Sequence, residues 1–431
     1  MAIKDMKKLI SIFCFISVFS VSGVSLAAGL EIIIDKSTRG EIPITVVPFK
    51  IGGGAPHNAS KIIESDLQRS GKFDIRAAPG GQQPGSSAEI QADIFKQSQN
   101  VVVGTVSKTG AGYQIKAELV NVVTGKVLVK EVKIAAGKNF RRKTHEVSNA
   151  IYKALTGIEG VFDTKIAYVK VTKQRRGKKS YALVVADADG FSPVSIRRSP
   201  YPIMSPSWAP TGNRLAYVAF KKTGHTAIHV QNIGTGRRYV VSASKGINGA
   251  PAWSPDGSRL ALTLSKVGNP EIYVFNLRSR RLRRMTVNGA IDTEATWAPD
   301  GRSLVFTSDR SGGPQLYRVG IGGGKTSRVT FSGKYNARAT ISPDGKKIAM
   351  VHAVGGRTSI AVKSGSETNV VTAGRLDESP NFAPNGEMLI YASEYNHKGV
   401  LFTVSADGKT KVRLELQSGD IREPAWGPKR K

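Results

Sequence analysis

From Val161 onward, apolar and polar positions alternate in short runs, the pattern of half-buried strands rather than helices. The runs are rich in β-branched and aromatic residues and are bounded by Gly, Asn or charged turns. Arg259-Leu260-Ala261-Leu262-Thr263 and Glu271-Ile272-Tyr273-Val274-Phe275 are two of them. A motif punctuates the runs. A large apolar residue, a small residue and Pro recur with Trp208, Trp253, Trp297, Ile341, Phe382 and Trp426 as the apolar anchors. Successive anchors are 45, 44, 44, 41 and 44 residues apart. A period of about 40–45 residues, with four strand-like runs in each, is that of a propeller blade.

Turn chemistry follows each anchor. In Ser254-Pro255-Asp256-Gly257, Pro fixes φ, Asp bonds its own backbone and Gly ends the turn without a Cβ penalty. A second strand is predicted after each turn, beginning at Arg214, Arg259, Ser303, Lys347 and Met388, with a sixth at Lys165. The block that starts at Lys165 has no inner strand before it, and Trp426 has no second strand after it. Residues 420–426 are therefore expected to supply the missing inner strand, closing a six-bladed ring over 162–431 and hiding its open edges.

Residues 41–158 read differently. Ile42-Pro43-Ile44-Thr45-Val46-Val47-Pro48-Phe49 is a buried strand, and Gly52-Gly53-Gly54 a loop. Asn58 or Ser60 caps a helix with Ile62, Ile63 and Leu67 on one face, ending near Gly71. Phe73-Asp74-Ile75 starts a strand, residues 80–87 form a loop, and a helix is predicted near 92–97. Residues 101–104 are strand-like, and residues 113–119 and 126–134 pair as a hairpin around Thr124-Gly125. An amphipathic helix over 140–155 stops at Gly157. The predicted fold class is a small α/β N-terminal domain plus an all-β six-bladed β-propeller.

Residues 1–27 have the pattern of a secretory leader. Lys4, Lys7 and Lys8 precede an apolar stretch, and Ser25-Leu26-Ala27 offers small residues for cleavage. Residues 28–40 are left as an edge strand or an arm. The lone cysteine, Cys14, lies in the leader, so the exported chain has no disulfide and must rely on its core. The net charge is +31, or +29 once a leader with three lysines and one aspartate is removed. Such a surface can attract anions. Runs such as Lys173-Gln174-Arg175-Arg176-Gly177-Lys178-Lys179 fit better as charges that discourage edge pairing between blades. Export argues against nucleic acid, and no stretch beyond the leader is long and apolar enough to span a membrane.

The sequence carries no complete catalytic motif. Gly320-Ile321-Gly322-Gly323-Gly324-Lys325-Thr326 approaches a phosphate loop, but Val319 stands where the motif needs Gly, and the segment joins two strands. There is no Gly-x-Ser-x-Gly elbow. His57, His145, His225, His229, His352 and His397 are scattered, without the spacing of a zinc site. No enzyme, metal site or resident cofactor is predicted. One constellation remains. Four of the six positions five before an anchor are Asn248, Asp292, Asn336 and Asp377, with Glu294, Glu378 and Glu423 beside them. These positions open the inner strands, so an oxygen-rich ring is expected at one mouth of the channel. Such a ring suits a docking face or a hard cation such as Ca²⁺. The alternative is that the Asx residues cap turns.

The combination resembles the TolB family, the periplasmic component of the Tol–Pal envelope system. The resemblance rests on a leader, Ile32-Ile33-Ile34-Asp35 followed by Ile44-Thr45-Val46-Val47-Pro48-Phe49, and the Pro-x-Trp-Ser-Pro-Asp-Gly repeats. Leu155-Thr156-Gly157-Ile158, Phe162-Asp163-Thr164-Lys165 and Met204-Ser205-Pro206-Ser207-Trp208 extend it. It implies a monomeric, non-enzymatic adaptor, peripheral to the membranes, that supports outer-membrane integrity and constriction during cell division. The implied partners are the lipoprotein Pal at the propeller mouth and TolA at the N-terminal arm. The Pal contacts it implies are Met204, Ser205, Pro206, Asn248, Gly249, Ala250, Asp292, Thr293, Glu294, Ala337, Asp377, Glu378 and Glu423. The TolA contacts are Leu30, Glu31, Ile32, Ile33, Ile34 and Asp35. Ile247 departs from the family, which commonly has His before Asn-Gly-Ala.

Overall fold

The computed structural model describes residues 32–34, 40–81, 83–414 and 419–430. The leader and Leu30, Glu31 and Asp35 lie outside the described residues. The first strand, β1 (Ile32–Ile34), is discussed with the propeller below. Strand β2 (Ile42–Val46) is followed by β3 (Lys50–Gly52), helix α1 (Ala59–Arg69) and β4 (Phe73–Arg76). Strands β5 (Asn100–Thr109), β6 (Gly112–Asn121) and β7 (Lys126–Ala135) then run as an antiparallel meander before α2 (Phe140–Thr156). The sheet order is β4-β2-β5-β6-β7, with β2 parallel to both neighbours and β3 parallel to β5.

The local chemistry accounts for these elements. Asn58 is extended and its side chain accepts from the Lys61 amide at 3.1 Å, capping α1. Ile63 and Leu67 then meet Val147 and Ile151 of α2 over Ile44, Val102, Ile115 and Leu119 of the sheet. Gly157 ends α2 with φ 72°, in the left-handed region. The helix predicted near 92–97 is instead a 3₁₀ turn, Ala92–Phe95, in which only Phe95 is buried. It lacks a side-chain cap and the apolar face that would sustain an α-helix of this length.

Six four-stranded blades follow. The five anchor-to-turn repeats place second strands at Arg214–Phe220, Arg259–Leu264, Ser303–Ser308, Lys347–Val354 and Met388–Tyr395. Blade one is composite: Asp420–Trp426 pairs antiparallel with Lys165–Lys173, then come Lys179–Asp187 and Val194–Ser199. Blade six carries a fifth strand, because β1 pairs with Thr410–Arg413 in the register Ile32 with Val412.

Each blade leans on its neighbour through the anchors. Trp208 Nε1 donates to the Ala425 carbonyl at 3.0 Å, and Trp297 Nε1 to that of Ala252 at 3.0 Å. Arg214 and Arg259 lie 4.9 and 4.8 Å from the rings of Trp253 and Trp297. In the turn of blade three, Ser254 Oγ donates to Asp256 at 2.5 Å and the Gly257 amide to the Ser254 carbonyl at 2.9 Å. That hydroxyl bond, more than any other contact, pulls the Asp256 pKa down to about 2. A Cβ on Gly257 (φ 71°) would sit 3.2 Å from Pro210 Cγ, so the turn glycine of one blade packs on the turn proline of the blade before.

A buried ionic cluster ties the mixed sheet to blade one. His145 of α2 has Nδ1 2.6 Å from Asp66 of α1 and Nε2 3.5 Å from Asp189 of the propeller. Arg69 holds the other Asp66 oxygen at 2.9 Å, and Arg141 pairs with Asp189. Burial alone would lower the His145 pKa, but Asp66 and Asp189 outweigh it and raise it.

Candidate docking site at the propeller mouth

Each inner strand carries a bulge at one register position, three residues before the anchor. Ser205, Ala250, Glu294, Arg338, Ser379 and Glu423 occupy it, and all six have φ between 44° and 55°. The ladder to the second strand shifts across each of them. Left-handed backbone costs a non-glycine residue about 1–2 kcal/mol, so a sixfold repeat is a costly device that re-aims one side chain per blade.

What the bulges aim at is visible in blades four, five, six and one. Arg338 Nη2 lies 2.7 Å from Glu423, Nε 3.1 Å from Glu294, and Nη1 donates to Ser379 Oγ at 2.8 Å. Four inner strands thus converge on one guanidinium at the axis. The Arg338 and Glu294 amides are capped by Thr307 Oγ1 and Thr263 Oγ1 of the preceding blade, at 3.1 and 3.2 Å. Burial raises the Glu294 pKa. Burial, and then Glu423, push the Glu378 carboxyl up to about 6. Burial works against the charge of Arg338, but Glu423, Glu294 and Glu378 hold its proton more tightly than usual.

This corrects the oxygen ring expected five residues before the anchors. Asn248, Asp292, Asn336 and Asp377 have no exposed surface. Arg310 Nη2 donates to both Asp292 oxygens, at 2.8 and 3.0 Å. The Asn248 side chain bridges Ser242 and Ser244, and Asn336 bridges Ser332, Gln315 and His352. Asp377 caps Thr372 and the Gly374 amide. They are turn caps that hold the loops between blades. Ala337 is buried as well. Met204, Ser205, Pro206, Gly249, Ala250, Thr293, Glu294 and Glu378 are half-buried, and Glu423 is nearly covered. A Ca²⁺ among these carboxylates meets a competitor, since Arg338 already stands between Glu294 and Glu423. No group of three His, Cys, Asp or Glu side chains among the described residues is placed to hold a metal ion.

Arg338 and Ser379 went unrecognised in the sequence. The signal was available, because both sit three before an anchor, but only the bulge distinguishes that position from its neighbours. Val287 and Phe331, on the outer-to-inner loops of blades three-to-four and four-to-five, were also missed. They are 76% and 75% exposed and lie on the loops that lead into the inner strands at the same mouth.

The comparisons with known proteins agree with this architecture. The family model described as the TolB beta propeller domain matches residues 152–430, and that of the TolB amino-terminal domain matches residues 30–128. The Tol-Pal system protein TolB of Alcanivorax borkumensis is 50% identical over 428 residues, spanning 96% of this chain and 97% of that protein. That of Xanthomonas campestris pv. campestris is 45% identical, spanning 95% of each. The crystal structure of TolB from Acinetobacter baumannii superposes with a TM-score of 0.84 at 39% identity, covering 93% of this chain and all of that one. No helix among the described residues is long and apolar enough to cross a membrane. With both of its regions matched and near-complete relatives at half identity, the chain belongs to the TolB family.

Proposed function

We propose that the chain is a non-enzymatic periplasmic adaptor whose propeller mouth binds Pal and whose N-terminal arm binds TolA, in support of outer-membrane integrity and constriction at division. The observation that carries the reading is the strained ring of Ser205, Ala250, Glu294, Arg338, Ser379 and Glu423. Backbone strain of this kind clusters at functional sites, and exposed Phe331 and Val287 beside the ring supply apolar anchors for a protein partner. Leader cleavage after Ala27 would place the arm at the new N-terminus. There β1 adds to the edge of blade six through only three residues, a pairing short enough to exchange for a partner's strand edge.

The test uses purified chain lacking the leader, with Pal and the periplasmic domain of TolA in separate titrations. Removing residues 28–36 is expected to abolish TolA binding and leave Pal binding intact. Glu294→Lys is expected to weaken Pal binding while the circular dichroism spectrum is retained. Loss of neither interaction in the truncated chain, or an unchanged Pal affinity in the Glu294 variant, would sink the assignment of these surfaces.

A further inference from the structure

A cleft of about 580 Å³ opens between blades three and four, at the end of the propeller that carries the Ser-Pro-Asp-Gly turns. Its floor is apolar: Val274, Met285 and Ile321. Its rim is cationic: Arg259, Arg281 and Arg283. The segment that forms the rim is unusual in composition. Between Asn276 and Asn288 the chain has Arg278, Arg280, Arg281, Arg283 and Arg284 and no carboxylate. Arg284 is taken by buried Glu271 at 2.8 Å. Asp256 approaches Arg259 only to 3.9 Å, and among the described residues no ion pair engages Arg281 or Arg283.

The glycine-rich turn that resembles a phosphate loop finds a role here. The Ile321 and Gly322 carbonyls accept from Arg283 at 3.1 and 2.5 Å, which fixes that guanidinium at the rim. A Cβ on Gly323 (φ 88°) would lie 3.1 Å from Arg283 Nη2, so a side chain there would push it away. The turn thus presents carbonyls that position an arginine rather than amides that cradle a phosphate.

We propose that this cleft binds the phosphate headgroup of an anionic phospholipid and holds the flank of the propeller against an anionic membrane surface. The Arg281 guanidinium can meet a phosphate with its planar fork, and Arg283, whose two terminal nitrogens already donate to carbonyls, adds its charge. The apolar floor suits the glycerol and first acyl carbons, and the volume is in the range of a small-molecule site. A nucleic acid fits poorly, because no aromatic side chain lines the cleft for base stacking. The cleft lies at the opposite end of the inner strands from the bulged mouth, so lipid and protein partners do not compete.

The experiment is co-sedimentation of the purified chain with vesicles of phosphatidylglycerol and phosphatidylcholine, against phosphatidylcholine alone, at fixed ionic strength. Each arginine near an anionic surface contributes about 1 kcal/mol, roughly a fivefold change. Arg281→Gln with Arg283→Gln should therefore lower phosphatidylglycerol binding by roughly 25-fold. Lys126→Gln with Lys138→Gln removes the same charge from exposed sites in the N-terminal α/β region and should lower it far less. An equal loss in both double variants, or equal binding to the two vesicle types, would overturn the proposal. Inorganic phosphate at matched ionic strength should leave vesicle binding in place. Full displacement by it would assign the cleft to free phosphate and overturn the lipid reading.

Discussion

Replacing Arg338 by Gln removes the guanidinium that Glu294 and Glu423 hold and strands those carboxylates, with Glu378 beside them. Removing one partner of a buried pair costs about 3–5 kcal/mol. Arg338 and Glu294 keep 19% and 26% of their side-chain surface, so water offsets part of this. We expect a loss of about 2–3 kcal/mol at pH 7.5, measured as the shift in urea midpoint. The loss should depend on pH in a definite sense. The Glu294 and Glu378 pKa values are already raised in the folded protein, and losing Arg338 raises them further. A carboxyl with a raised folded pKa contributes stability that is complete below its unfolded value and disappears as pH rises through the folded one. The Arg338 variant should therefore recover most of its deficit between pH 7.5 and pH 5, as these groups take up protons. Adding Glu423→Gln should restore part of the stability at pH 7.5, because it removes the charge that Arg338 held at 2.7 Å. A deficit that is the same at pH 5 and pH 7.5, and additive in the double variant, would refute the electrostatic account of the ring.

His145→Asn should destabilise more at pH 6 than at pH 8.5 in urea unfolding. The raised His145 pKa, set by Asp66 and Asp189 with Arg69 and Arg141 at hand, gives stability present below about 6.5 and lost as pH rises through the folded value. Gly257→Ala should cost more than Gly224→Ala. Both have positive φ, worth about 1–2 kcal/mol, but only the first would press a Cβ onto Pro210, while nothing lies within 4 Å of the second. Differential scanning calorimetry ranks the two. Phe331→Ser should leave thermal stability within about 0.5 kcal/mol, because the side chain is exposed. In calorimetric titration it should weaken Pal binding by tenfold or more, as loss of an apolar anchor does.

Much of this molecule is written locally. The Pro-Asp-Gly turn needs only a φ-locked residue, a self-bonding carboxylate and a residue free at positive φ, and these sit side by side in the sequence. The second strands therefore begin where the turn residues say they do, at Arg214, Arg259, Ser303, Lys347 and Met388. The caps at Asn58 and Gly157 are legible for the same reason. The turn at 92–95 reads as a helix in the sequence because a few helix-forming residues look alike whether or not a face is buried beneath them.

The candidate site was legible only to within two or three residues. Repeat arithmetic located the mouth, since every inner strand begins near it. Which side chains face the axis depends on a bulge, and a bulge inverts the alternation that sequence reading relies on. Asp292 and Asp377 lie before the bulge and are buried by their loop and arginine contacts, while the bulge brings Arg338 and Ser379, unnoticed in the sequence, to the axis. The meeting of Arg338 with Glu423, 85 positions away, is likewise set by closure of the ring and by no local propensity. Six repeated blades, a mixed α/β region and the end at which to look are all readable from local residue patterns. Which charges meet there follows from closure of the ring, because it depends on six separate strands arriving at one axis.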